Sequence, residues 1–172
     1  MDTARERGID GLRPAVRGMV VDGDDRLLLV RLVFPPRAWW VLPGGGIDEG
    51  EDEIDALRRE LREEVGLEPA EIGALLWHRE HQFDMVDTAG VAWAGQRESV
   101  FLVRTESFEP TPAMSAEELR AEHLFEHRWW TVAEIESYDG PDFFAPRDLA
   151  VHARRVLSDG APDEPFVIRQ RD

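Results

Sequence analysis

Apolar positions along this chain change period several times, and the changes outline its elements. Ala15 to Val21 and Leu27 to Val33 are apolar runs rich in β-branched residues, split by Asp22-Gly23-Asp24-Asp25, which predicts a hairpin. Phe34-Pro35-Pro36-Arg37 interrupts the pattern, and Trp39 to Leu42 reads as a short strand leading into Gly44, Gly45 and Gly46. From Asp52 the period becomes helical: Ile54, Leu57, Leu61 and Val65 form one stripe for burial. Asp52 and Asp55 stand in a capping-box-like relation at its start, and Gly66 followed by Pro69 marks its end.

Further on, Ile72 to Phe83 and Glu98 to Arg104 read as strands joined by a long loop containing Gly90 and Gly95. Ser115 to Glu122 predicts a short helix, His123 to Trp130 a strand, and Thr131 to Glu134 a capping box opening another helix. Pro146 to Leu157 has helical spacing with Pro146 near the first turn, and the last dozen residues fit no single pattern. Residues 1–12 read as a flexible tail and residues 13–172 as one domain. Strands interspersed with a few helices imply an α/β fold with a mixed sheet between helical layers.

The helix from Asp52 to Val65 also carries chemistry. Residues three and four apart share a helix face, so Glu60, Glu63 and Glu64 project toward one region beside the glycines. Rigidly held carboxylates suit a hard divalent cation such as Mg2+ or Mn2+, although an acidic run is usually a solvated face. The spacing of the whole segment decides between these readings. Gly45 is followed after five residues by Glu51 and after seven more by Arg59-Glu60-Leu61-Arg62-Glu63-Glu64-Val65-Gly66-Leu67. This resembles the signature box of the Nudix hydrolase superfamily at every fixed position, and Trp40-Val41-Leu42-Pro43-Gly44-Gly45 resembles the approach common in that family.

The resemblance implies an α/β/α sandwich and a metal-dependent hydrolase of a nucleoside diphosphate linked to another moiety. It implies that Glu60, Glu63 and Glu64 bind Mg2+, or Mn2+ in its place, with the Gly44 carbonyl as a backbone ligand. Arg59 and Glu51 take supporting roles, Arg59 orienting Glu63 four residues on. Many members recruit another glutamate from outside the box; Glu126 is the candidate here and Glu98 the weaker alternative. Arg17 and Arg31 are candidates for reaching substrate phosphates. His78 and His81, three apart on a strand, face opposite ways and make a poor metal pair.

Composition narrows the partners. A net charge of −16 disfavours a nucleic acid polymer or an anionic membrane, and no apolar run is long enough to span a bilayer. The charged N-terminal stretch lacks a secretory signal, so a cytoplasmic protein is expected, with a small nucleotide or nucleoside diphosphate derivative as its partner and homodimerisation left open. With no cysteine the chain cannot run the thiol chemistry associated with isoprenoid diphosphate isomerases of the same fold. A nucleotide-binding or regulatory module without turnover is the other rival; it would be expected to lose box glutamates. Residues Gln82 to Met85 contain neither the proline nor the tyrosine that mark two substrate subtypes, which favours a nucleoside triphosphate, including oxidised forms.

Overall fold

The computed structural model describes residues 11–171. Strand β1 (Arg13–Val21) meets β2 (Leu27–Phe34) antiparallel at Val21 and Leu27, as the hairpin pattern predicts. Asp22 fastens the turn: its Oδ1 accepts the amides of Asp24 at 3.0 Å and Arg26 at 2.9 Å. Beyond that point β1 and β2 part, because each has other partners. β1 runs parallel to β6 (Ala92–Arg104) along its length, while β2 pairs with β3 (Arg37–Val41) and β7 (Leu124–Trp130). The mixed sheet has the order β8-β3-β2-β1-β6-β5-β9, completed by β5 (Ile72–Val86), β8 (Phe143–Ala145) and β9 (Phe166–Arg171).

Helices cover both faces. On one, α1 (Glu53–Val65) buries Ala56, Leu57, Leu61 and Val65 against Val16, Val20, Leu28 and Val30. On the other, α3 (Val132–Glu136) and α4 (Leu149–Asp159) pack Ile135, Leu149, Ala153 and Val156 on Met19, Leu29, Trp77 and Trp130. Burial of apolar side chains on both faces, at about 25 cal/mol per Å2, is the main force holding the three layers. The expected α/β/α sandwich with a mixed sheet is the fold.

Several boundaries differ from the pattern-based reading. Gly95 lies inside β6 instead of a loop, because β5 and β6 continue to a tight turn at residues 87–91, where Asp87 Oδ1 accepts the amides of Ala89 and Val91. Helix α4 starts at Leu149, and Pro146 stands before it, its carbonyl accepting the Leu149 amide. The ambiguous C-terminal stretch contains β9, paired parallel to β5. Of the expected tail, residues 1–10 lie outside the described residues; Leu12 is buried and the Gly11 carbonyl accepts the Ala94 amide.

Candidate active site

Three glycines and one helix position the carboxylates. Gly44–Gly46 forms a short strand, β4, paired antiparallel with residues 15–17 of β1. Gly44 has φ +149°, and a Cβ there would stand 2.1 Å from the Val16 carbonyl oxygen. Only glycine lets the backbone approach β1 so closely. The Gly44 amide donates to Glu64 Oε2 at 3.1 Å, so the contact seen at this residue is through its N–H. Helix α1 is aligned on the strand by its caps: Asp52 accepts the Asp55 amide, and Gly66 closes the end in the left-handed conformation.

Residues 108–114 then cross the C-terminal end of α1. The amides of Thr111, Ala113 and Met114 donate to the carbonyls of Val65, Arg62 and Glu63, satisfying groups that a helix end leaves open. This crossing leads into α2 (Ala116–Ala121), opened by a Ser115–Glu118 capping box, and delivers Glu122 to the site. One carboxylate oxygen from each of Glu60, Glu64 and Glu122 lies within 4.8 Å of the others, a group that could hold a metal ion.

The electrostatics of this trio are strained. Burial raises the Glu60 pKa to about 7, against the opposing pull of Arg59. Burial and the neighbouring Glu60 push Glu64 well above the glutamate range, and burial with Glu63 raises Glu122. Glu60 Oε2 is buried and has no hydrogen-bond partner among the described residues. A divalent cation supplies what these oxygens lack, so the donor set fits Mg2+ or Mn2+.

Arg59 organises the remaining acidic residues. Its Nε and Nη2 grip Glu51 in a two-point pair at 2.9 and 2.8 Å, Nη1 donates to Glu60 Oε1 at 2.9 Å and Glu63 Oε2 at 3.2 Å, and Nη2 also reaches the Gly46 carbonyl. This bond to Arg59 holds Glu51 below its ordinary pKa. Glu63 therefore stands beside the trio, tied to it through Arg59.

Other residues singled out from sequence fall elsewhere. Glu126 is exposed on β7, opposite Arg31 in the ladder with β2, and is not part of the carboxylate group. Its side chain alternates outward with the strand, whereas Glu122 precedes the strand and sits over α1. Nothing in local pattern separates Glu122 from Glu117, Glu118 or Glu126, so sequence reasoning missed it. Glu98 is buried between Arg17 and Arg79, which overcome burial and hold it at about 2. Arg17 bonds Glu98 at 2.6 Å and the Leu42 carbonyl at 2.8 Å, and Arg31 makes a two-point pair with Asp142. His78 approaches Ser99, which bonds Glu53 of α1, while His81 approaches Arg79 on the opposite face. A larger cavity, about 470 Å3, lies past the C-terminal end of α1 between Leu67 and Arg104, away from these carboxylates.

The sequence profile of the NUDIX domain matches residues 11–154. The RNA pyrophosphohydrolase of Sphingopyxis alaskensis is 33% identical over 132 residues, 72% of this chain and 80% of that protein. That of Halorhodospira halophila is 38% identical over 100 residues, 55% of this chain, and the match spans about half (54%) of that relative's length. Among solved structures, the MutT NUDIX hydrolase from Burkholderia pseudomallei is 26% identical with a TM-score of 0.51, covering 84% of this chain and 97% of that one. The NUDIX domain of Shewanella oneidensis NrtR, complexed with ADP ribose, is similar in fold, with a TM-score of 0.61 at 22% identity over 85% of this chain and 88% of that one. With a complete box on a matching fold, the chain belongs to the Nudix hydrolase family and is a pyrophosphohydrolase.

Proposed function

We propose that the protein hydrolyses the diphosphate linkage of a nucleoside diphosphate linked to another group, including a nucleoside triphosphate, with Mg2+ or Mn2+ held by Glu60, Glu64 and Glu122. The observation that carries this reading is the convergence of three carboxylates, two of them buried, against the glycine strand. When bound, divalent cations neutralise charge on the non-bridging phosphate oxygens and make water a stronger nucleophile.

The chain's own residues do the rest. Arg59 fixes Glu60 and Glu63 in orientation through its pair with Glu51. The Gly44 amide fixes Glu64, and Arg17 adds positive charge behind Glu64 and Glu60. As a bond forms from the water oxygen to phosphorus, the bridging P–O bond breaks and the leaving phosphate departs as an anion; the water proton passes to a carboxylate of the group. Glu63 stays half-buried beside the trio, positioned to join the cation shell when substrate arrives.

The names of the two relatives extend the substrate range to the 5′ end of an RNA. A charge of −16 opposes a long polymer but not a triphosphorylated terminus surrounded by cations. The test is a panel of nucleoside triphosphates, nucleoside diphosphate sugars and short 5′-triphosphorylated RNA, with Mg2+ and Mn2+. Glu64→Gln should lower turnover on the best substrate by orders of magnitude while the protein stays folded. Equal activity of wild type and variant would remove the assignment, and nucleotide binding without turnover on the whole panel would favour a binding module.

A further inference from the structure

On the sheet face that carries α4, a cavity of about 190 Å3 lies between β5 and β9 on one side and β3 and β8 on the other. Four arginines line it: Arg37, Arg79, Arg147 and Arg171, together with His81. No carboxylate does so among the described residues. Arg37, Arg147 and Arg171 are exposed and form no ion pair with a described residue. In a chain of net charge −16, unpaired guanidinium groups gathered at one cavity make a local anion seat. Their flat forks match phosphate oxygens in a way that lysine would not. The same cavity offers ring surface, with Trp39 and Phe143 at 6.0 Å between centroids and Arg37 over Phe143 at 5.9 Å.

The cavity is connected to the carboxylate trio. Arg79 donates to Glu98 Oε2, Glu98 Oε1 accepts from Arg17, and Arg17 bonds the Leu42 carbonyl, two residues before Gly44 and its bond to Glu64. Arg17 on β1 and Arg79 on β5 are separated by β6, so two strand spacings, about 10 Å, lie between them. An anion held in the cavity is therefore not the anhydride at the trio but a second group of the same molecule. A nucleoside spans a gap of that order.

We propose that the substrate is a nucleoside 5′-polyphosphate carrying a further phosphate on its ribose. Its anhydride lies at Glu60, Glu64 and Glu122, its base against Trp39 and Phe143, and its ribose phosphate between Arg37 and Arg147. The assignment rests on the trio being the hydrolytic centre. A small 3′-phosphorylated nucleotide and the 5′ end of an oligonucleotide both present this chemistry, the first as a monoester and the second as a diester.

Calorimetric titration of the full chain in chelator tests the cavity without turnover, using adenosine 3′,5′-bisphosphate against adenosine 5′-monophosphate. The bisphosphate should bind at least about tenfold more tightly, and Arg37→Gln/Arg147→Gln should remove that advantage. Equal affinity for the two probes in wild type, or an advantage that survives in the double variant, overturns the proposal. Neither probe contains an anhydride, so an enzyme that turns over nothing in the substrate panel still gives a clear answer here. With Mg2+, comparing kcat/KM for a 3′-phosphorylated nucleoside triphosphate, a 5′-triphosphorylated dinucleotide and the plain triphosphate separates the sources. Preference for the first identifies the monoester and preference for the second the diester; equal values for all three overturn the assignment.

Discussion

Gly45 lies so close to the Glu60 carboxylate that a Cβ at position 45 would stand 2.7 Å from Oε1. Glu60 cannot swing away freely, because it is buried and Arg59 holds the same oxygen at 2.9 Å. Gly45→Ala should therefore displace a ligand by a few tenths of an ångström or more. We expect kcat to fall by about 100-fold, since small misplacements at a reacting centre are costly, while the thermal midpoint changes little. Steady-state kinetics and thermal melts on the same preparation check both parts.

Glu122 and Glu126 are separated by four residues and by their surroundings. Glu122→Gln should reduce kcat by about 100-fold or more and weaken the cation dependence, as loss of a ligand does. Glu126→Gln should stay within about threefold of wild type, as expected for an exposed strand position. A larger loss in the Glu126 variant than in the Glu122 variant would reverse the assignment.

The pH dependence of the metal-free protein follows from Glu60, whose pKa is raised by burial to about 7. A carboxyl whose folded pKa exceeds its unfolded value binds more protons when folded, so stability is present at low pH and falls as pH rises from about 4.5 toward 7. In chelator, the wild-type thermal midpoint should decrease across that window, and Glu60→Gln should flatten the decrease. Adding Mg2+ at pH 8 should raise the wild-type midpoint and leave the variant nearly unchanged.

Glu98 has the opposite sign. Arg17 and Arg79 hold it at about 2 against the effect of burial, so its contribution is fully present above the ordinary glutamate range and is lost as pH falls toward 2. Glu98→Gln leaves two largely buried guanidinium groups without their counter-charge, and should destabilise the fold by about 3 kcal/mol. Denaturant melts at pH 7 measure the loss, and the variant should show a shallower stability decline between pH 4.5 and 2.5 than wild type.

Local order carried most of the elements and the centre of the site. The stripe Ile54, Leu57, Leu61 and Val65, with Asp52 and Gly66 as its ends, determined α1 because helix period and capping are properties of neighbouring residues. The same spacing determined that Arg59 could reach Glu63 four residues on, and the box pattern marked Glu51 as its further partner. Strands β4, β8 and β9 were not legible, since each is short or irregular and becomes a strand only by pairing with β1, β3 or β5. The third carboxylate had to come from the fold. Glu122 reaches Glu60 and Glu64 because residues 108–114 hydrogen-bond across the end of α1, a contact between distant segments that leaves no periodic trace. The arginine cavity was decided in the same way: Arg37, Arg79, Arg147 and Arg171 are scattered along the chain, and only the pairing of β5 with β9 and of β3 with β8 gathers their charge.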